Sequence, residues 1–183
     1  MTIKIEDFSL LNFIGQFREF NFAVRANRAR LTPYFWWAHT NKLAQMNFIL
    51  SGLIAEKIAA HTHDLPYNKK FIIRENSTQI EGTTFAGVIG LDRFTSNSAR
   101  TEIWAFITQE HAGHHVASGA LKLAEEYARS KFVKKIFART SNTNLTASEL
   151  LQHNNYRQTG LQSIDRIGNT VLIWEKSLTD KSY

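Results

Sequence analysis

The sequence has no cysteine among its 183 residues, which removes disulfide staples, thiolate metal ligands and a cysteine nucleophile from consideration. It also has no apolar run approaching the length needed to span a bilayer, so no membrane partner is expected. The opening residues, MTIKIEDFSLL, carry acids where a secretion signal would be apolar, and the expectation is a soluble cytoplasmic protein. Internal repeats, linkers and low-complexity segments are missing too. With 43% hydrophobic residues the chain is expected to form one domain over residues 1–183 around a full core. Its charge is biased but not clustered: 22 Lys and Arg against 16 Asp and Glu give +6, which favours acidic or polyanionic partners by long-range attraction. No recognition helix and no interleaving of basic with aromatic residues accompanies that charge, so nucleic acid is not an expected partner.

The most informative stretch is Ala99 to Ala128, ARTEIWAFITQEHAGHHVASGALKLAEEYA. An apolar strand-like run gives way to a short loop containing Gly113 and then to a helix opening at Val116. Val116, Leu121, Leu123, Ala124 and Tyr127 recur at helical spacing and define a packing face. A strand, a tight loop and a helix start leave several backbone N–H groups unpaired and pointing one way, which suits a phosphate or pyrophosphate. A plain connecting loop is the alternative reading of the same junction.

Earlier in the chain, Thr2 to Ile5 reads as a strand and Glu6 to Phe22 as a helix with Asp7 and Ser9 near its start. The segment Val24 to Thr40 is basic and then aromatic, with Pro33 ending any helix before it. Trp36 and Trp37 suit either a substrate entrance or packing in the core or a homodimer interface. Thr40 is a suitable N-cap for a helix in which Leu43, Met46, Leu50, Leu53, Ile54 and Ile58 keep a 3.6-residue period to about Ala60. His61 and His63 flank Thr62 in a segment read as a loop, and no carboxylate at a recognisable spacing makes them a metal site. Lys69 to Ser77 and Thr83 to Phe94 read as an antiparallel pair joined around Glu81-Gly82, with Gly87 and Gly90 reducing bulk inside the second strand. Beyond the central helix the pattern predicts a strand at Lys134 to Arg139 and a helix from Asn144 to Asn154. A hairpin of Tyr156 to Arg166 with Thr170 to Leu178 follows, turning at Gly168-Asn169.

Four blocks in this order, NRARLTPYFWWA, FAGVIGLDRF, ARTEIWAFITQEHAGHHVASGALKLAEEYA and SNTNLTASELLQHNNYRQTG, resemble the GNAT-superfamily N-acetyltransferases. The likeness is to their ribosomal-protein alanine/serine (RimJ/RimL-like) branch and covers Asn27 to Leu178. The resemblance implies an α+β fold with a mostly antiparallel central sheet, splayed between its central strands to admit pantetheine and flanked by helices. It further implies transfer of acetyl from acetyl-CoA to an amine, on a protein N-terminus or a small molecule, without a metal. By the same resemblance Ile103, Ala105 and Ile107 line the cofactor's path. Gly113, His114, His115, Val116, Ala117 and Ser118 form the pyrophosphate loop, and Asn144 meets the pantetheine arm.

The departures from the family pattern are specific. Ala112 stands where Gln or Arg is usual, and His115 replaces the loop's second glycine, placing a β-carbon where backbone should approach the pyrophosphate. His114 or His115 could instead donate a hydrogen bond to a phosphate oxygen. Ala147 replaces the serine assigned in relatives to protonate the leaving thiolate, with Ser148 one place later and Tyr156 a possible substitute. Glu102 matches the family's strand carboxylate. An attacking amine must be unprotonated, so a carboxylate reached directly or through water can act as base. Glu102, Trp104 and Phe106 share one strand face and Ile103, Ala105 and Ile107 the other. A structural pairing of Glu102 with a nearby arginine such as Arg100 is the competing reading. Two function classes follow: a catalytic N-acetyltransferase, or an impaired member that binds coenzyme A or another ligand or partner without turnover.

Overall fold

The computed structural model describes residues 2–9, 11–62, 67–76, 83–94, 99–164 and 170–179. Among the described residues seven strands form one sheet in the order β1-β2-β3-β4-β5-β7-β6. These are β1 (Thr2–Asp7), β2 (Tyr67–Asn76), β3 (Thr83–Phe94), β4 (Thr101–Ile107), β5 (Lys135–Ser141), β6 (Arg157–Ile164) and β7 (Thr170–Ser177). Every neighbouring pair is antiparallel except β4 with β5, which is parallel. That pair is also the weak one. Although each strand has seven residues, only Thr101 with Ile136 and Glu102 with Phe137 are in register, and beyond Glu102 the strands part.

Alternation of side chains sends two apolar sets to opposite faces. Ile103 of β4, Phe71 and Ile73 of β2, and Ile89 and Leu91 of β3 pack with α4 (Val116–Ser130) and α5 (Leu145–His153). Ile72, Val88 and Phe106 pack on the other face with α1 (Phe13–Ala26), the short α2 (Arg28–Leu31) and α3 (Lys42–Thr62). A bulge interrupts the alternation where Ile73 opposes Gly87 but Arg74 opposes Phe85, leaving Ala86 unopposed.

Several elements depart from the sequence expectation. Glu6 and Asp7 do not start a helix; they extend β1, opposite Ile72 and Phe71, and α1 begins only at Phe13. Pairing with β2 outweighs local helical preference there. Thr40 does not cap α3. Its hydroxyl donates to the Trp37 carbonyl (2.8 Å), and the Asn41 side chain accepts from the Ala44 N–H (2.9 Å). His61 and Thr62 belong to the last turn of α3 and not to a loop. His63, Glu81-Gly82 and Gly168-Asn169 lie outside the described residues. The helix opening at Val116 and the bounds of β3 are as the sequence indicated.

Candidate active site

Where β4 and β5 part, the sheet has an opening that reaches both of its faces. A cavity of about 380 Å³ lies there. From one face it is lined by Glu102 and Trp104, and from the other by Ile103 and Ala105. β5 contributes Ala138, Arg139, Thr140 and Ser141, while Asn144, Ala147, Leu150 and Leu151 come from the start and inner face of α5. A channel through a sheet requires backbone groups without strand partners, and the divergence after Glu102 provides them.

The wall on the α1–α3 side is aromatic. Trp37, only 2% exposed, stacks on Phe48 (5.4 Å between centroids) and contacts Phe35 at 5.0 Å and Trp104 at 6.1 Å. It is therefore both a core residue and a cavity residue; the Trp36 side chain is outside the description. Gly90 sets the position of Trp104. A β-carbon at Gly90 would sit 2.5 Å from the indole, so its absence lets the ring lie against β3 and donate from Nε1 to Asp92 Oδ1 (2.9 Å). Asp92 is opposite Glu102 in the β3–β4 register and also lines the cavity.

Glu102 faces the cavity with its side chain 15% exposed, and Arg139 grips both oxygens, Nε to Oε1 at 2.7 Å and Nη2 to Oε2 at 3.0 Å. The arginine pairing raised from sequence thus exists, with a different partner. Arg100 instead stacks on Phe137 and lies 3.9 Å from Glu175. Asn144 caps α5 by accepting from the Ala147 N–H (3.2 Å), leaving its NH2 group without a partner among the described residues.

The loop before α4 rises from an anchored stem. Thr108 donates its N–H to Ala86 O (2.9 Å), and its hydroxyl bonds His111 Nδ1 (2.7 Å). Nε2 of His111 lies 3.2 Å from the Thr84 hydroxyl and 3.4 Å from Glu75 Oε2. From this stem Ala112 to His115 stand exposed. Gly113 has φ 83° and His115 φ 59°, so histidine adopts the left-handed conformation that glycine would take freely. No intrachain acceptor occurs among the described residues for the N–H groups of residues 113–118. The Ser118 hydroxyl is already committed to Asn154 Oδ1 (2.7 Å).

Of the residues singled out from sequence, Glu102, Ile103, Ala105 and Asn144 meet at the cavity. Gly113, His114, His115, Val116, Ala117 and Ser118 form the separate donor loop. Ile107 is not in the cavity lining; its carbonyl accepts from the Arg30 guanidinium. Tyr156 does not line the cavity either. It is 3% exposed in the core, where burial and the neighbouring Glu125 carboxylate push its phenol well above the usual range. Asp92, Arg139 and the Phe35–Phe48 wall were not identified from sequence, because cross-strand register and helix packing place them. The sole local hint for Asp92 was a charge inside the apolar strand GVIGLDRF.

Among the described residues no group of three or more His, Cys, Asp or Glu is placed to hold a metal, and no helix is long and apolar enough to cross a membrane. No curated protein matches the sequence. Solved structures share its fold. A RimL ribosomal L7/L12 alpha-N-protein acetyltransferase in complex with coenzyme A is 12% identical with TM-score 0.75, over 97% of this chain and 94% of that one. The microcin C7 self-immunity acetyltransferase MccE in complex with acetyl-CoA and AMP is 16% identical with TM-score 0.76, over 96% and 92%. A spermidine N-acetyltransferase from Vibrio cholerae in complex with coenzyme A and spermine is 15% identical with TM-score 0.67, over 96% and 95%. The family comparison is more specific: residues 15–157 match the acetyltransferase (GNAT) domain, spanning the aromatic wall, the splayed strands, the donor loop and α5, and the chain belongs to that family.

Proposed function

We propose that this protein is an acetyl-CoA-dependent N-acetyltransferase acting on a primary amine, on a protein N-terminus of the ribosomal-protein type or on a small molecule, in the cytoplasm. The observation that carries the reading is the cavity through the β4–β5 opening, close in sequence to a loop with six consecutive N–H groups that have no acceptor among the described residues. In this reading the amides of residues 113–118 hold the pyrophosphate at the start of α4. The pantetheine arm lies between β4 and β5 against Ile103, Ala105 and the free amide NH2 of Asn144. Glu102 takes a proton from the acceptor ammonium, freeing the nitrogen lone pair that attacks the thioester carbonyl. The thiolate leaves readily, so solvent can supply its proton, and Tyr156 is left to packing. Turnover with acetyl-CoA across a panel of amines, including N-terminal peptide amides and polyamines, tests the reading; no product with any of them would remove it.

One observation favours the non-catalytic alternative, in which the chain binds coenzyme A without turnover: both oxygens of Glu102 are held by Arg139. Binding without product across the panel would select it.

A further inference from the structure

Among the described residues three charged side chains line the cavity, Asp92, Glu102 and Arg139. Asp92 is already provided for: Trp104 Nε1 donates to one of its oxygens (2.9 Å), and the buried Lys70 ammonium, 4.5 Å from the Phe48 ring, is drawn towards it. Glu102 and Arg139 have only each other among the described residues. The guanidinium sets Nε on Oε1 and Nη2 on Oε2, the side-by-side fork that arginine makes with a carboxylate. The carboxylate suited to act as base is therefore masked by the group best suited to recognise an anion. Opening the pair costs little, because the arginine side chain is 56% exposed. An acceptor that brings only an ammonium takes Glu102 and leaves the guanidinium without a counterion at the cavity wall. One that also brings a carboxylate exchanges the internal pair for two new ones, ammonium on Glu102 and carboxylate on the Arg139 fork, and every charge stays partnered.

Resting on the acetyltransferase reading above, we propose that Arg139 is the acceptor's anion site and that the preferred acceptors are amines carrying a carboxylate close to the nitrogen. Binding of that carboxylate draws the arginine off Glu102, so the base is unmasked by the molecule it is to deprotonate. A free amino acid carries the carboxylate on the carbon next to nitrogen, and a peptide N-terminus carries one through an acidic side chain such as aspartate. An alkylamine or the N-terminus of a neutral peptide lacks it and must compete with Arg139 for Glu102 unaided. Arg139 is thus a specificity residue acting on acceptor affinity, and Glu102 remains the proton acceptor.

The test reads binding without turnover. In 15N-labelled protein the indole N–H signal of Trp104, whose ring lines the same cavity, is identified by its loss in Trp104→Phe. It is followed at constant ionic strength and about pH 6.5, below the range in which α-amino groups lose their proton. Two matched pairs of probes are titrated, alanine against alanine amide and the dipeptide amide Asp-Ala against Asn-Ala. In wild type the carboxylate-bearing member of at least one pair should reach half-saturation at a concentration lower by about tenfold or more. The pair that does so names the source, free amino acid or acidic peptide. Arg139→Met should move the two classes in opposite directions, weaker for the carboxylate-bearing probe and tighter for its neutral partner, because Glu102 no longer has to be freed. Equal half-saturation within both pairs in wild type, a preference that survives in Arg139→Met, a shift of both classes in the same direction, or no response to any probe would overturn the anion site. Acetyl-CoA binding to wild type is measured alongside by calorimetry. Its failure while the carboxylate preference persists would overturn the acetyltransferase reading and leave the anion site supported.

Discussion

Arg139 reaches from β5 across the opening of the sheet and holds both carboxylate oxygens of Glu102 on β4, at 2.7 Å and 3.0 Å. The arginine side chain is 56% exposed, so solvent screens the pair and its net contribution is no more than about 1 kcal/mol. An arriving ammonium can displace it. Glu102→Gln should therefore lower turnover by about 10²–10⁴-fold with acetyl-CoA affinity nearly unchanged. Alkaline pH should partly rescue it by deprotonating the amine in solution. Arg139→Met, which keeps the carboxylate, should cost turnover at saturating acceptor far less. Turnover against pH for the three proteins checks this, and coincident profiles for wild type and Glu102→Gln would make Glu102 a structural residue.

His115 holds φ 59° with a side chain that is exposed. A left-handed non-glycine residue costs about 1–2 kcal/mol, offset in part by the extra unfolded-state freedom of glycine. His115→Gly should raise the melting temperature slightly and tighten acetyl-CoA binding. His115→Ala keeps the backbone cost while deleting the ring, so weaker binding in both variants would assign the imidazole a direct phosphate contact.

Lys70 is 4% exposed, and burial pushes its ammonium down to about 8 from 10.5. Below pH 8 folded and unfolded chains both carry the proton, and the folded state bears the full burial cost. Between about pH 8 and 10 only the unfolded lysine stays protonated, so folding stability should rise with pH through that window. Above pH 10 the trend should reverse. Tyr67 and Tyr127 are held above 10.0 by burial, and their unfolded counterparts ionise first. Denaturant melts at pH 7, 8.5, 9.5 and 10.5 check the sign, and Lys70→Met should abolish the rise.

Ala147 lines the cavity and supplies an N–H to Asn144 without carrying a hydroxyl. Because coenzyme A leaves as a thiolate far more stable than an amide anion, Ala147→Ser should change turnover by much less than the general-base loss at Glu102. A steady-state comparison of the two variants measures that ordering.

The elements dictated by short-range chemistry were legible in the sequence. Val116, Leu121, Ala124 and Tyr127 define the inner face of α4 by spacing alone, and the missing second glycine flagged the conformation that His115 adopts. What was not legible depends on partners distant in the chain. Glu6 and Asp7 read as a helix start until β2 pairs with them. Nothing near Glu102 announces Arg139, 37 residues on, because the contact follows from the parallel register that sets Glu102 beside Phe137. Asp92 was hidden for the same reason: its place beside Glu102 and under Trp104 is a matter of β3–β4 register and of the space above Gly90.

The central claim, that the loop before α4 and the opening between β4 and β5 form one cofactor site, is tested most directly by calorimetric titration of acetyl-CoA in low salt against wild type and Asn144→Ala. The account predicts saturable one-to-one binding by wild type, weakened in the variant and weakened by added salt as the phosphates are screened. No binding by wild type at millimolar acetyl-CoA would contradict it.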